Sequence, residues 1–545
     1  MVTEPARAPL QVLRLYPPHD GSLAGLLRSR ASIAPDRECL VFQGESLSYA
    51  QVLAAAGRTA AVLAARGLRA GDRVGMMSRN HPSAVLLLLA LASLGATMVP
   101  LNPDFGVTEA AYVLGHAEVA GVVCAPDVLE RVQGACSSLG ISPWLMVNEA
   151  ASTGDAAGPL PVMSVEADRW TGALPRTTGT AQATCLFIYT SGTTGFPKGV
   201  MHSQYNLVTA GEGFVQRMHL QPEDRLLCVL PMFHINAIFY SLAGALAAGA
   251  TLILEPRFSA SKFWQVVKDT RATEVNTIAA ASSMLMLRPR SEFVAGHGLK
   301  KIYGAPFTAE MYRVFHEEFQ VPTLVEGYGM SEIPGALNNP FEGPHKVGSM
   351  GQPSLHPDPA VQLAELRIAD DAGNFLAAGE VGELVVRTPI VMQGYFKDAA
   401  QTQATFRDGW FLTGDLASVD ADNFFWFVAR KKDIIRKRGE NISGAELDRV
   451  IGTHPAVLEA AAIPVPDELG EDEILVAVVA RPGMAVTPEE VAQWCRERLA
   501  AIKVPRYVAL VDALPHTPTH RVEKFKLRQD KALRAAAVDL RSNTS

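Results

Sequence analysis

Two stretches far apart in this chain follow one plan. "LLALASLGATMVPLNPDF" (88–105) and "LAGALAAGATLILEPRF" (242–258) each run from an Ala/Leu-rich helix through a Gly-Ala-Thr turn into a short apolar strand, then turn near a proline. A chain that repeats this unit is pushed toward layered α/β architecture with buried parallel strands, since both faces of such strands need cover. The repeat also decides a competing reading. Residues 83–101 carry no charge over a length that could span a bilayer, but the second copy reads them as a buried helix ending at Gly95 followed by the strand "TMVPL". No membrane span is expected.

From about residue 25 to 390, helical Ala/Leu patterns alternate with strand candidates: "RVGMM" (73–77), "GVVCA" (121–125), "CLFIYT" (185–190), "RLLCVL" (225–230) and "LVEGYG" (324–329). "ASTGDAAGPL" (151–160) reads as a loop. Beyond residue 380 the texture changes. "GELVVRT" and "NFFWFVAR" look like antiparallel strands with "VDADN" as a turn, "EILVAVVARP" is another strand, and Thr487 and Pro488 open a capped helix. The expected fold is α/β: a large multi-layer N-terminal domain with duplicated α/β sheets (1–430) and a small α+β C-terminal domain (433–545), with a hinge near 431–432.

A chain of 545 residues exceeds what one core supports. Net charge is -7 without long like-sign runs, which argues against a nucleic-acid surface. The six cysteines show no metal or CxxC spacing and read as reduced, mostly buried thiols. The N-terminus lacks a signal-peptide pattern, so a cytoplasmic location is expected.

"YTSGTTGFPKGV" (189–200) is the first stretch that carries chemistry. Its glycines free backbone N–H groups to converge on an anion, Thr190, Ser191, Thr193 and Thr194 add hydroxyl donors, and Lys198 adds a compact positive charge. It is not a Walker A loop, because here the lysine precedes the glycine. A flexible surface turn is the competing reading of composition alone. The full string resembles the signature of the adenylate-forming superfamily: acyl-CoA synthetases, peptide-synthetase adenylation domains and luciferases.

Further stretches match that superfamily in its order, over roughly residues 25–535. "LPMFHINA" (230–237) resembles the motif bringing an acyl-pocket histidine, here His234. "YGAPF" (303–307) looks like the turn that packs on adenine, and "GYGMSE" (327–332) like the motif with a stacking tyrosine, a phosphate-contacting serine and a magnesium-binding glutamate. "GWFLTGDLA" (409–417) supplies the ribose-holding aspartate, and "ARKKDIIRKRGENISGAELD" (429–448) looks like the hinge and its following loop.

The resemblance implies an acyl-CoA ligase working through an acyl-AMP intermediate, with ATP or acyl-AMP, CoA and Mg²⁺ as cofactors. Lys198, Glu332, His234 and Arg521 would be catalytic, and Glu332 with Thr190 would hold the metal. Nucleotide contacts would come from Thr190, Ser191, Gly192, Thr193, Thr194 and Gly195, from Gly304, Ala305 and Pro306, from Glu326, Gly327, Tyr328, Gly329, Met330 and Ser331, and from Asp415, Phe427 and Arg430. Lys432 takes the hinge position. Arg436, Lys437, Arg438, Gly439 and Glu440 would meet CoA, the basic run reading equally well as a solvated face.

His234, Ile235, Asn236, Ala281, Ser282 and Tyr303 would line the acyl pocket. Small residues at 281 and 282 enlarge it while Tyr303 takes space back, and the lean is toward a bulky acid. No aspartate stands where amino-acid-activating relatives bind an amino group, which favours a plain carboxylic acid.

One departure is sharp. Near its C-terminus the superfamily reads approximately Leu-Pro-x-Thr-x-Thr-Gly-Lys, with a lysine that serves adenylation. This chain reads "LPHTPTHRVEKFK" (514–526), which puts His520 at the glycine and Arg521 at the lysine. A guanidinium fork does not replace an ammonium at a tight site without cost. Two readings stay open: a protein that mainly transfers a pre-formed acyl adenylate to CoA, depending on a separate adenylating enzyme, and a complete ATP-dependent ligase. Acyl transfer to a carrier-protein phosphopantetheine and a non-catalytic adenylate binder complete the set; no Gly-x-Asp-Ser-Leu carrier motif occurs.

Overall fold

The computed structural model describes residues 6–149, 160–190, 197–437, 440–466, 472–516 and 522–541. The loop expected at 151–160 lies, but for Leu160, outside them. The chain divides into two compact units, one of residues 1–365 with 386–411, the other of 366–385 with 412–545.

The first unit holds two sheets of related design. In one, strands Trp144–Val147, Gly121–Cys124, Arg73–Met77, Thr97–Leu101 and Thr184–Thr190 lie side by side and parallel. Thr184–Thr190 then pairs antiparallel with Lys198–Ser203, which pairs with the short edge strand Gly394–Tyr395. In the other, Glu38–Phe42, Thr251–Leu254, Arg225–Cys228, Glu274–Asn276, Lys301–Gly304 and Thr323–Met330 are parallel. Thr323–Met330 likewise folds back antiparallel onto Ile333–Asn338. The duplication expected from the repeated helix-to-strand unit is present; each parallel run ends in an antiparallel hairpin, and the second carries another at its opposite edge, where Glu38–Phe42 pairs with Glu45–Ser48.

The repeated units themselves fold as read. Helix Pro82–Leu94 is capped by Gly95 at φ 71°, a left-handed conformation that glycine adopts without a Cβ clash, and strand Thr97–Leu101 follows, fully buried. Helix Ala243–Ala248 is capped by Gly249 at φ 69° before the buried strand Thr251–Leu254. Pro82–Leu94 is apolar all round because it is buried all round. No helix among the described residues is long and apolar enough to cross a membrane. All six cysteines are buried and free.

The second unit contains the four-stranded sheet Val457–Pro466, Asp472–Ala480, Tyr507–Leu510 and Val538–Asp539, and the hairpin Ile434–Lys437 with Glu440–Ser443. Helix Pro488–Arg496 opens with the reciprocal cap expected: the Thr487 hydroxyl accepts from Glu490 N–H while the Glu490 carboxylate accepts from Thr487 N–H. This unit also takes 366–385 and 412–430. The reason is hydrogen bonding. Strands Glu365–Ala369, Gly382–Arg387 and Trp410–Val419 share one sheet with Phe425–Arg430.

Candidate active site

Each predicted motif of the first unit sits just beyond the C-terminal end of a parallel strand, where open α/β sheets bind ligands. At the end of the first hairpin's paired strands, Thr190 and Lys198 are direct partners. Ser191, Gly192, Thr193, Thr194 and Gly195 lie outside the described residues. In the second hairpin Met330 pairs with Ile333, so Ser331 and Glu332 are the two central residues of a tight turn. The two hairpins occupy corresponding positions in the two sheets.

Three residues that the sequence did not single out join these hairpins. His202, on the return strand of the first hairpin, is fully buried, and burial pushes its pKa down to about 4. It is therefore neutral near pH 7. Asn206 Nδ2 lies 3.1 Å from Nδ1 and donates to it, which leaves Nε2–H to donate to the Ser331 carbonyl at 2.7 Å. Met392 N–H donates to the Glu332 carbonyl at 2.8 Å. Tyr395 donates its hydroxyl to Glu332 Oε1 at 2.7 Å, and its ring lies 5.1 Å from Lys198 Nζ. Tyr395 thus orients the carboxylate and offers the lysine an aromatic face. Nothing in "QGYFKD" has a chemical pattern that marks it; only the pairing of Gly394–Tyr395 with the Lys198 strand reveals it.

Glu332 fits a magnesium role by the chemistry of its donors. It is mostly buried, it keeps one carboxylate oxygen without a hydrogen bond among the described residues, and no cluster of three or more metal-ligating side chains exists among them. Magnesium is held in this way, by one or two carboxylates with phosphate oxygens completing the shell.

Glu326 is engaged by the protein's own backbone. It is 2 % exposed, and its carboxylate accepts from Phe307 N–H at 2.7 Å and from Gly348 N–H at 3.3 Å. It pins the Gly304-Ala305-Pro306 turn from beneath, while burial pushes its pKa up. Gly327, Tyr328, Gly329 and Met330 run along the strand beside that turn, Tyr328 half-buried.

The acyl-pocket residues separate. His234, Ile235 and Asn236 follow strand Arg225–Cys228 half-buried, and His234 packs against Phe233. Asn236 opens a π-helical stretch, Asn236–Leu242, of the kind that re-aims side chains at functional sites. Ala281 and Ser282 are buried, and Ser282 Oγ is taken up by Thr277 Oγ1 at 3.1 Å. Tyr303 is buried edge-on to Phe214 and Tyr240.

In the second unit, Asp415 and Arg430 face each other across paired strands, Arg430 Nε 2.8 Å from Asp415 Oδ1. Asp415 is fully buried. Phe427 is exposed on the same strand as Arg430. Lys432 lies in the 3-10 turn Lys431–Asp433, whose Lys431 is paired with Asp371 and Glu383.

The CoA-facing basic run needs correction. Strand alternation turns Arg436 outward and Lys437 inward, where Lys437 is 7 % exposed and ion-paired with Glu473 at 2.5 Å. Lys437 offers no charge to a ligand. Glu440 is exposed, and Arg438, Gly439 and Arg521 lie outside the described residues. Flanking Arg521, His516 and Val522 form a bridge, Lys524 is paired with Asp448 at 2.5 Å, and Lys526 with Glu523.

His202 and Tyr395 thus tie the first hairpin and the Gly394–Tyr395 edge strand to the Ser331–Glu332 turn, and comparison with known proteins identifies the family. Residues 27–396 match the AMP-binding enzyme family and 446–521 its C-terminal domain. Sulfoacetate–CoA ligase of Cupriavidus necator is 32 % identical over 511 residues, 93 % of this chain and 97 % of that protein. A feruloyl-CoA synthase of an Amycolatopsis species is 32 % identical over 506 residues, covering 92 % and 97 %. The crystal structure of ATP-bound MatB from Rhodopseudomonas palustris superposes with a TM-score of 0.81 at 28 % identity, covering 93 % and 98 %. The chain belongs to the AMP-binding enzyme family. Within it, this is an acid–thiol ligase of the acyl-CoA synthetase type, forming acyl-CoA by way of acyl-AMP.

Proposed function

We propose that the protein acts on a carboxylic acid without an amino group, and that its main activity is transfer of the acyl group from an acyl adenylate to CoA, with adenylation weak or absent. Arg521 carries this reading. Thioester formation joins the CoA sulfur to the acyl carbon and breaks that carbon's bond to AMP, which leaves with the electron pair. Adenylation sets the acid's carboxylate against the α-phosphorus of ATP, where two anions must be brought together. A planar guanidinium, preceded by His520 where the superfamily has the more permissive glycine, is a poor substitute for an ammonium there. A charge misplaced by about 1 Å in a preorganised site costs ~100-fold in rate.

The pairing of Lys524 with Asp448 and of Lys526 with Glu523 supports the register, since both nearby lysines are engaged within the C-terminal unit. Lys198, Glu332 and Thr190 would hold phosphates and Mg²⁺, Asp415 and Arg430 the nucleotide, and Arg436 with residues 438–440 would meet CoA. Lys432 would be the pivot of a rotation between the two half-reactions.

Intact Lys198, Glu332 and Asp415 favour a second reading, a complete ligase in which Arg521 does the lysine's work. The test is ATP-dependent acyl-CoA formation by the parent and by Arg521→Lys. A gain of at least tenfold in the variant, with equal thioester formation from supplied acyl adenylate, supports the first reading; no gain sinks it. The named acids of the relatives, sulfoacetate and ferulate, differ too much to set the substrate here.

A further inference from the structure

Arg217 stands near the end of helix Gln204–Met218 and is 3 % exposed. Burying a guanidinium is costly unless it is paired, and no carboxylate pairs with it among the described residues. Three of its five N–H donors are used: Nε toward Asn338 Oδ1 at 3.3 Å, and Nη2 toward the Gly335 carbonyl at 2.8 Å and Ser354 Oγ at 3.3 Å. Nη1 makes no well-formed hydrogen bond among the described residues. The guanidinium lies 5.3 Å from the ring centroids of both Tyr240 and Tyr303, whose aromatic faces offset part of its burial.

Its neighbours place this cation behind the acyl pocket. Tyr303 opens the adenine-type turn, and Tyr240 lies one π-helical turn beyond His234 and Asn236. Both rings rest on the strand bearing the Tyr328 motif. A Cβ at Gly327 would lie 2.3 Å from the Tyr303 hydroxyl, and one at Gly329 3.0 Å from that of Tyr240. Gly335 is equally tight on the other side, its Cβ position 2.3 Å from Arg217 Nη2. The packing behind Tyr240 and Tyr303 is therefore tight, aromatic and positively charged.

We propose that the Arg217 guanidinium, flanked by the Tyr240 and Tyr303 hydroxyls, receives a second oxyanion at the far end of the acid, so that the substrate is a short acid bearing a further carboxylate or sulfonate. This rests on the acyl-CoA reading of the same site. A planar fork whose remaining donors meet only the two neutral tyrosine hydroxyls matches an oxyanion, and its negative charge supplies the pairing that no carboxylate among the described residues provides. A site built around such a group rejects analogues lacking it far more strongly than an apolar pocket rejects a missing methylene.

The test measures binding, by calorimetry with AMP present, of length-matched acids: butanoate, succinate and 3-sulfopropanoate, and propanoate, malonate and sulfoacetate. The parent should bind the dianions at least ~100-fold tighter than the matched monoanion, and Arg217→Met should bring the ratio to within about threefold. The two anionic arms tell carboxylate from sulfonate. No preference in the parent, or one that survives Arg217→Met, overturns the proposal. Should Arg217→Met not fold, Arg217→Lys and Tyr303→Phe read the same ratio, and the parent comparison alone can refute it. Dianion binding without thioester formation on adding CoA and acyl adenylate would instead refute the ligase reading and leave this one standing.

Discussion

His202 gives the most exacting test of how the two hairpins are held together. It is neutral and buried in the folded protein, with a pKa near 4 against an ordinary 6.5. Between those values the unfolded chain binds a proton that the folded one refuses. Stability from this residue is thus complete above about pH 6.5 and is lost as pH falls toward 4. The gap of about 2.5 pH units, at ~1.36 kcal/mol each, makes the contribution about 3 kcal/mol. His202→Gln keeps an amide donor for the Ser331 carbonyl but cannot titrate. Unfolding free energy, measured by denaturant titration from pH 7 to pH 4, should fall more steeply in the parent, the difference between the two proteins shifting by about 3 kcal/mol. Carboxylates elsewhere contribute equally to both and cancel. Parallel curves would show that His202 is not buried neutral against Ser331, and the link between the hairpins would have to be redrawn.

Tyr395→Phe removes one charge-assisted hydrogen bond to Glu332, worth about 1.5–3 kcal/mol; any step needing that carboxylate should slow by about 10- to 150-fold in kcat, with the melting temperature little changed. Gly335→Ala adds a side chain at φ 68° against Arg217 Nη2 and should destabilise the first unit by about 1–3 kcal/mol, read as a lowered melting temperature. Lys524→Met leaves Asp448 without its partner. Because Asp448 keeps about a quarter of its side chain exposed, the loss should be about 2 kcal/mol, below the figure for a fully buried pair, and it should appear in the unfolding of the C-terminal unit, where Arg521→Lys should cause none.

Local pattern made much of this architecture legible. "RVGMM" is a strand over the residues expected, and Gly95 and Gly249 end their helices where the repeated unit put them, because these choices depend on a few adjacent residues. The motif stretches were legible through resemblance; of these, "YGAPF" and "GYGMSE" stand at the ends of the parallel-paired strands Lys301–Gly304 and Thr323–Met330. What stayed hidden depends on tertiary partners. Tyr395 and His202 act on Glu332 and Ser331 from elements far away in sequence. Lys437 read as part of a basic surface run because strand alternation, with Glu473 waiting inside, cannot be seen in "RKR". Arg217 has an ordinary amphipathic-helix context, and only its three aromatic neighbours and missing carboxylate single it out.

The central claim concerns which half of the ligase reaction this chain performs. Its most direct test is acid-dependent exchange of labelled pyrophosphate into ATP by the parent protein, run across the panel of mono- and dianionic acids beside Arg521→Lys, with thioester formation from synthetic acyl adenylates measured in parallel. The account predicts thioester formation by both proteins and exchange at least tenfold stronger in the variant. Robust exchange in the parent, equal to that of Arg521→Lys, would contradict it and make this a complete ligase with arginine serving in the lysine's place.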